Sequence, residues 1–384
     1  MKICDVVLNS IWYDPRVRKQ IVEYIDNGID LSCVGLKCPR YDEEKIKNIP
    51  VKTNVVKINP KYEGQQKCIL KKIIREYLGY KNVRDAIIQE SPDIIHANDL
   101  NALIPAYAAS KRLKCLLVYD SHEINVENYT STGRSKTAFL MEIIEKYIVK
   151  RVSLMVCVSN AAADYFCKKY KINKPMVVTN CSLKKEQISS RKIDKHDGFE
   201  VLNHGQFYEG RGYDVMAQSC ESLKNYNEIK LAIRGFGKLE PKLHEIVNEN
   251  EGKNFIFYPP VNVENLISEA AASHVGVAIT ESICLNFELS VSNKIFEYAS
   301  AGLPVIMSNI PEHRYLNEKY HFGVIMEDVS VQSFVQAVLK LYNDYEFYKE
   351  CSENAKRMSQ ELNWENEFYK LIQLEEQMYK SVRK

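Results

Sequence analysis

Short apolar runs alternate with stretches of helical periodicity from end to end of the chain. Ile3–Leu8, Asp30–Leu36, Lys52–Ile58, Asp93–Ala97, Leu116–Tyr119 and Leu154–Val158 read as buried strands. Arg16–Asn27, closed by Gly28, reads as a helix, as does Gln66–Gln89 with a break at Gly79. Further helices are expected near 100–113, 135–150 and 160–170. The segment Cys181–Gly198 is polar, charged and without period, which marks a linker. Beyond it, Phe199–Asn203, Ile229–Ile233, Asn254–Phe257, His274–Ile279 and Val305–Met307 read as a second series of strands. Tyr213–Leu223, a helix from about Lys294, Val331–Tyr342, Tyr345–Glu361 and Trp364–Lys384 read as the helices of that half. Repeated βαβ units predict an α/β fold with parallel sheets covered on both faces. In such sheets ligands bind at the carboxyl ends of the strands.

Composition narrows this picture. A length of 384 residues suggests two domains, and 45% hydrophobic with 27% charged residues is ordinary for a globular enzyme. The 11 Cys show no CxxC pair and no His/Cys cluster, which argues for reduced thiols and against a disulfide frame or a zinc site. The N-terminal MKICDVVLNS carries Asp5 and does not read as a signal peptide. No apolar run approaches the ~20 residues of a membrane span, so a cytoplasmic protein is expected. Charge is uneven: residues 1–180 hold 29 Lys+Arg against 20 Asp+Glu, a net +9, and residues 181–384 hold 23 against 30, a net −7. A basic first half suggests an anionic partner.

The chemistry gathers after the strands. In CLNFELSVSNKIFEYASAGLPVI (284–306) a loop turns through Ser292 and Asn293 into a helix. Free backbone N–H groups and the helix dipole there make a phosphate cradle. Lys294 can add a formal charge, and Glu297, one turn in, can accept from paired hydroxyls such as a ribose diol. A merely Ser-capped helix is the plainer alternative. Gly205-Gln206 and Gly210-Arg211-Gly212 form a glycine-rich strand-to-helix turn that suits close approach of a diphosphate, with Arg211 binding two oxygens. The GxGxxG spacing of a dinucleotide site is absent. Arg234-Gly235-Phe236-Gly237 is another glycine-rich strand end. In the first half, Asp14 and Arg16 stand at a helix start, with Asp14 also readable as its N-cap and Pro15 as its first residue. His96 and His122 follow adjacent strands, with Glu123 beside the latter. A His there can act as acid, base or hydrogen-bond donor to a sugar hydroxyl.

These residues together resemble a GT-B fold glycosyltransferase of the retaining kind grouped as family four. The most specific part is SNKIFEYASAGLPVI, which is similar to a form found in bacterial polysaccharide transferases. The run Tyr119–Glu123, the turn from Gly205 to Arg211 and the early Asp14–Val17 also match, in the same order. The resemblance implies two Rossmann-like domains with parallel sheets facing across a cleft. Residues 1–180 would bind the acceptor, residues 181–364 the nucleotide-sugar, and the helix 365–384 would pack back on the first domain. It implies transfer of a hexosyl-type sugar from a nucleoside diphosphate sugar to a glycan or lipid-linked glycan, with retention, without metal or other cofactor, and with no nucleic acid involved. Glu297 matches the acid that holds the ribose diol, Arg211 a cation on the diphosphate, and His122 the cleft histidine near the donor sugar. The donor set is then Gly205, Gln206, Arg211, Arg234, Ser292, Asn293, Lys294 and Glu297. His122 is the catalytic candidate, and Asp14, Arg16 and Glu123 lie on the acceptor side. The chain departs from the family where Leu289 replaces the first of two paired acids, where Gln206 replaces an Arg, and where Ser292 replaces a Pro.

Two other functions share these features. A non-hydrolysing sugar-nucleotide epimerase has the same fold but needs cleft carboxylates, for which Glu123 and Asp99 are the candidates. A catalytically idle subunit of a glycan-assembly complex would explain Leu289 and Gln206. The segment 66–76 also reads as a basic amphipathic helix, with Lys67, Lys71, Lys72 and Arg75 opposite an apolar stripe. That makes it a candidate for peripheral contact with an anionic membrane.

Overall fold

In the computed structural model the described residues are 1–11, 14–36, 51–56, 69–127, 136–187, 193–249 and 254–383, excluding the side chains of 54, 55, 69–77 and 136. They form two compact units, Met1–Thr179 with Glu367–Lys384, and Asn180–Asn366.

The first unit holds β1 (Lys2–Val7), β2 (Asp30–Leu36), β3 (Lys52–Val56), β4 (Ile94–Asn98), β5 (Leu116–Ser121), β6 (Leu154–Cys157) and β7 (Met176–Val177). They form one parallel sheet in the order β3-β2-β1-β4-β5-β6-β7. Ile3, Val6, Ile94, Ile95, Val118 and Val156 are fully buried, because crossover helices cover both faces. Strand order reverses between β1 and β4, so the crevice for a ligand opens where Asn98 ends β4. The helix Pro15–Asp26 starts there: Asp14 accepts from the backbone N–H of Arg16 (2.9 Å) and Val17 (3.3 Å), Pro15 occupies the first turn, and Gly28 leaves it at φ +70°.

The second unit holds β8 (Phe199–Gln206), β9 (Ile229–Phe236), β10 (Phe255–Tyr258), β11 (Val275–Ala278), β12 (Val305–Met307) and β13 (Gly323–Ile325), in the order β10-β9-β8-β11-β12-β13. Two apolar clusters cover its two faces, one around Leu231, Ile233 and Phe334, the other around Leu202, Ile295 and Phe296. Its reversal lies between β8 and β11, which places the turn after Gln206 beside Thr280.

Several expectations need correction. The helix Ile69–Glu90 runs through Gly79 without a break. Gly costs only about 1 kcal/mol in a helix interior, and Val83, Ala86 and Ile87 anchor the following turns in the core. The 66–76 membrane face falls outside the described side chains. The expected helix Tyr213–Leu223 is two pieces, Tyr213–Gln218 and Cys220–Leu223, and 285–289 is a short helix rather than loop.

Candidate functional site

In the second unit the glycine-rich strand ends and the helix Asn293–Ser300 converge on Lys294. Its ammonium donates to Asn203 Oδ1 (2.6 Å) and the Tyr213 hydroxyl (3.3 Å), and lies 4.7 Å from the centre of the Tyr213 ring. Burial, then the neighbouring Arg211 guanidinium, push the Lys294 amine down to about 7, against the pull of Glu297. Gly205 lies beside this amine at φ +122°, a backbone conformation that favours glycine. Gly235 lets β9 lie against β8, because a Cβ on it would meet the Gly205 carbonyl oxygen at 1.8 Å. Gln206 ends β8 exposed to solvent.

Arg211 reaches Thr280 Oγ1 at 3.4 Å and packs its guanidinium 4.4 Å from the Phe287 ring centre. Asn203 donates its amide to the Arg211 backbone carbonyl at 3.2 Å, holding the turn that carries Arg211, while its Oδ1 accepts from Lys294. Ser292 precedes the helix with extended backbone, and its side chain makes no capping bond. Simple Ser capping is therefore not how this helix start is satisfied. Asn293 Oδ1 accepts from Asn180 at 3.3 Å. Glu297 is 2.7 Å from His204 Nε2, and the His204 ring lies 4.4 Å from Tyr298. Sequence reasoning misses His204; its signal is its place directly before Gly205 at a strand end.

Arg234, which the sequence puts in the donor set, holds its guanidinium 3.2 Å from Glu269, 3.4 Å from the Pro259 carbonyl and 4.7 Å from the Tyr258 ring centre. By register it stands beside His204 on the next strand.

The first unit's candidates meet at the β1/β4 reversal. His122 Nε2 lies 3.0 Å from Asn98 Oδ1 and 3.6 Å from Asp120, and Nδ1 lies 3.6 Å from Asp99 and 3.8 Å from Asp14. Burial disfavours its charged form, but Asp99 and Asp120 outweigh that and raise its pKa. The ring is thus biased toward the imidazolium, which donates from both nitrogens and suits it to hold an oxygen ligand better than to act as a base. Asp99 opens its helix at φ +65°, a conformation rare outside Gly, and accepts from the His122 backbone N–H at 3.1 Å. Glu123 is exposed beside His122.

Arg16 and His96, read from the sequence as candidates at the strand ends, both face the buried Asp120. Arg16 is 3% exposed and makes a two-pronged bond to Asp120, Nε to Oδ2 at 2.9 Å and Nη2 to Oδ1 at 3.0 Å, with Nη1 on the Val178 carbonyl. Gln20 adds a bond to Asp120 at 2.8 Å. Arg16, His122 and His96 outweigh the burial of Asp120 and hold its carboxyl well below the usual range. His96 is fully buried between Asp120, Glu375 and the Tyr24 hydroxyl. Burial opposes its charge, yet the two carboxylates push it up to about 10. Glu375 comes from the helix Trp364–Val382, whose Phe368 also packs edge-on to Tyr24. Among the described residues no group of three or more His, Cys, Asp or Glu is placed to hold a metal ion.

Two parallel, doubly wound sheets, one in each unit, fit the GT-B class of α/β proteins. Residues 16–182 match the model "Glycosyltransferase Family 4" and residues 184–358 the model "Glycosyl transferases group 1". With both halves matched, the chain is a GT-B glycosyltransferase. It is 21% identical over 352 residues, 88% of each chain, to an uncharacterized glycosyltransferase of Methanocaldococcus jannaschii. It is 22% identical over 226 residues to one of Haemophilus influenzae, covering 58% of this chain and 61% of that one. Its fold is similar to that of Anabaena HepE in complex with UDP, with a TM-score of 0.76 at 14% identity over 98% of this chain and 100% of that one. No described helix is long and apolar enough to cross a membrane.

Proposed function

We propose that the second unit binds a nucleoside diphosphate sugar and that the enzyme transfers its sugar, with retention, to a glycan or lipid-linked glycan held by the first. The observation that carries this is the half-buried Lys294 ammonium sharing its surroundings with Arg211. Burial first, and then the neighbouring Arg211, disfavour the charge on Lys294, so an anion beside the two cations is favoured, and a diphosphate at a helix start supplies it. Glu297, one turn along, takes the ribose diol. UDP in the solved complex of Anabaena HepE supports a uridine nucleotide as the first donor to test. As the sugar leaves, negative charge grows on the diphosphate, where Arg211, Lys294 and the helix N–H groups stabilise it. His122 donates to an oxygen of the sugar or acceptor, while Asp14 and Glu123 lie on the acceptor side. Leu289 stands where the family has the first acid of its pair, so recognition of the sugar hydroxyls falls to other groups. A thermal-shift panel of nucleoside diphosphates and their sugars tests this reading, because a ligand of the folded state raises the midpoint by mass action. A selective shift with one nucleotide supports it; no shift with any of them refutes it.

Two further outcomes are expected. Lys294 must be protonated to pair with the diphosphate, and its pKa without ligand is about 7. Bound diphosphate raises that pKa, so the affinity for UDP-glucose, whose phosphates stay ionised, should be flat below pH 7. It should fall by up to about tenfold per pH unit above it, with a proton taken up on binding. Calorimetry in buffers of different ionisation enthalpy measures the uptake, and Lys294→Met should abolish both the slope and the uptake. A pH-independent affinity from 7 to 9 would contradict the assignment. With cationic side chains neutralising the diphosphate, transfer should also survive EDTA; loss that Mg²⁺ or Mn²⁺ restores would place a metal in that role.

A further inference from the structure

Helix Lys136–Val149 in the first unit has an outward face unlike that of the other described helices. Phe139, Leu140, Ile143 and Tyr147 are 58%, 56%, 50% and 53% exposed, and their spacing puts them on one side. A soluble surface scatters such residues singly and rarely stacks four in a row. The two acidic residues of the helix are both turned away from this face. Glu142 pairs with Lys169 at 2.9 Å, and Glu145 is buried under the hydroxyls of Tyr119 and Tyr170. What remains outward besides Thr137 and the apolar ridge is basic: Lys146, with Lys150 and Arg151 just past the helix end. Arg151 lies 3.8 Å over the Tyr147 ring, and Tyr147 meets Tyr107 edge-on at 6.2 Å. One turn beyond Tyr107, Lys111 and Arg112 are exposed at the end of the neighbouring helix Asp99–Leu113.

We infer that this face docks on an anionic bilayer surface, the ridge of Phe139, Leu140, Ile143 and Tyr147 entering the acyl boundary while Lys111, Arg112, Lys146, Lys150 and Arg151 meet lipid phosphates. Charge complementarity selects this occupant. A second copy related by a two-fold axis would set this basic cluster against itself, whereas an apolar layer beneath a sheet of negative headgroups matches both halves of the face. Arginine and lysine stems can lie along the apolar ridge while their charges reach the headgroups. The site is independent of the donor chemistry, since none of its residues touches the Lys294 or His122 groups.

Co-sedimentation of the full chain with phosphatidylcholine vesicles, with and without phosphatidylglycerol, tests the inference. Binding should require phosphatidylglycerol and weaken with added salt. The double variant Leu140→Glu/Ile143→Glu should lower the partition by at least roughly tenfold, and Lys146→Gln/Lys150→Gln by about as much. The changed positions are exposed, so the thermal midpoint should hold in both variants and serve as the check on folding. Equal partition onto both vesicle types, or none onto either, would overturn the inference. So would binding that survives both variants but is lost on Lys67→Gln/Lys71→Gln/Lys72→Gln, or a lipid-independent dimer that Leu140→Glu dissolves.

Discussion

Glu297→Ala is expected to weaken nucleotide-sugar binding by roughly ten- to a hundredfold while the fold persists. The carboxylate stands one turn into the helix Asn293–Ser300, 2.7 Å from His204 Nε2 and near Lys294. Its removal takes away the acceptor for the ribose diol, and losing a charge-assisted partner costs about 1–3 kcal/mol. Arg211→Ala should cost about as much through the diphosphate. The two can be told apart: the Arg211 variant should lose affinity for a bare diphosphate as well, and the Glu297 variant should not. Glu297 is partly exposed and His204 keeps its packing against Tyr298, so the sheet should persist, at the cost of the bond that Glu297 makes to the buried His204 ring. Normal donor kinetics in both variants would remove these residues from the site.

Asp120→Ala is expected to destabilise the protein by about 3–5 kcal/mol, read as a fall in the denaturation midpoint. Asp120 is fully buried and answers Arg16, Gln20 and the two histidines His96 and His122. Taking it away leaves the Arg16 guanidinium, itself 3% exposed, without its main counter-charge. The linkage has a defined sign. The folded carboxyl of Asp120 is held well below its ordinary value, so its contribution is present above that ordinary value and is lost as pH falls through the folded pKa. The variant should therefore show a shallower loss of stability on acidification than the parent. Asp120→Asn, which keeps the shape and one acceptor, should cost less than the alanine change. A midpoint within experimental error of the parent for Asp120→Ala would mean that the network contributes nothing net.

Both sheets are legible in the sequence for a physical reason. A parallel strand covered on both faces writes itself as a continuous apolar run, so β1, β4, β5 and β9 stand out. Short pieces do not: Met176–Val177 has two residues and Gly323–Ile325 three, too few for any period. The helix Pro311–Tyr320 escapes a pattern reading because its turns carry mostly polar residues, with Leu316 and Tyr320 among the few apolar ones on its buried side. In the second unit the site can be read locally. Ser292, Lys294 and Glu297 share one helix start, and Gly205 and Arg211 share one turn. The first unit's polar network cannot, because its partners meet only through the fold. Arg16 and Asp120 are 104 positions apart, and Tyr24 and Glu375 are 351 apart. Arg16 reads as ligand-facing since a helix-start Arg after a strand has the right place for it. Only the register of β5 against β4 reveals the buried carboxylate that claims it.

Titration of UDP and of its 2′,3′-dideoxy analogue into the parent protein and into Glu297→Ala tests the central claim most directly. A Glu297 carboxylate on the ribose diol predicts that the parent loses roughly tenfold or more in affinity when the hydroxyls are removed. The variant should then bind both nucleotides equally and about as weakly as the parent binds the dideoxy compound, since the lost contact is the same one. Failure of the parent to bind UDP or any other nucleoside diphosphate, or an equal preference for the hydroxyls with and without Glu297, would contradict it.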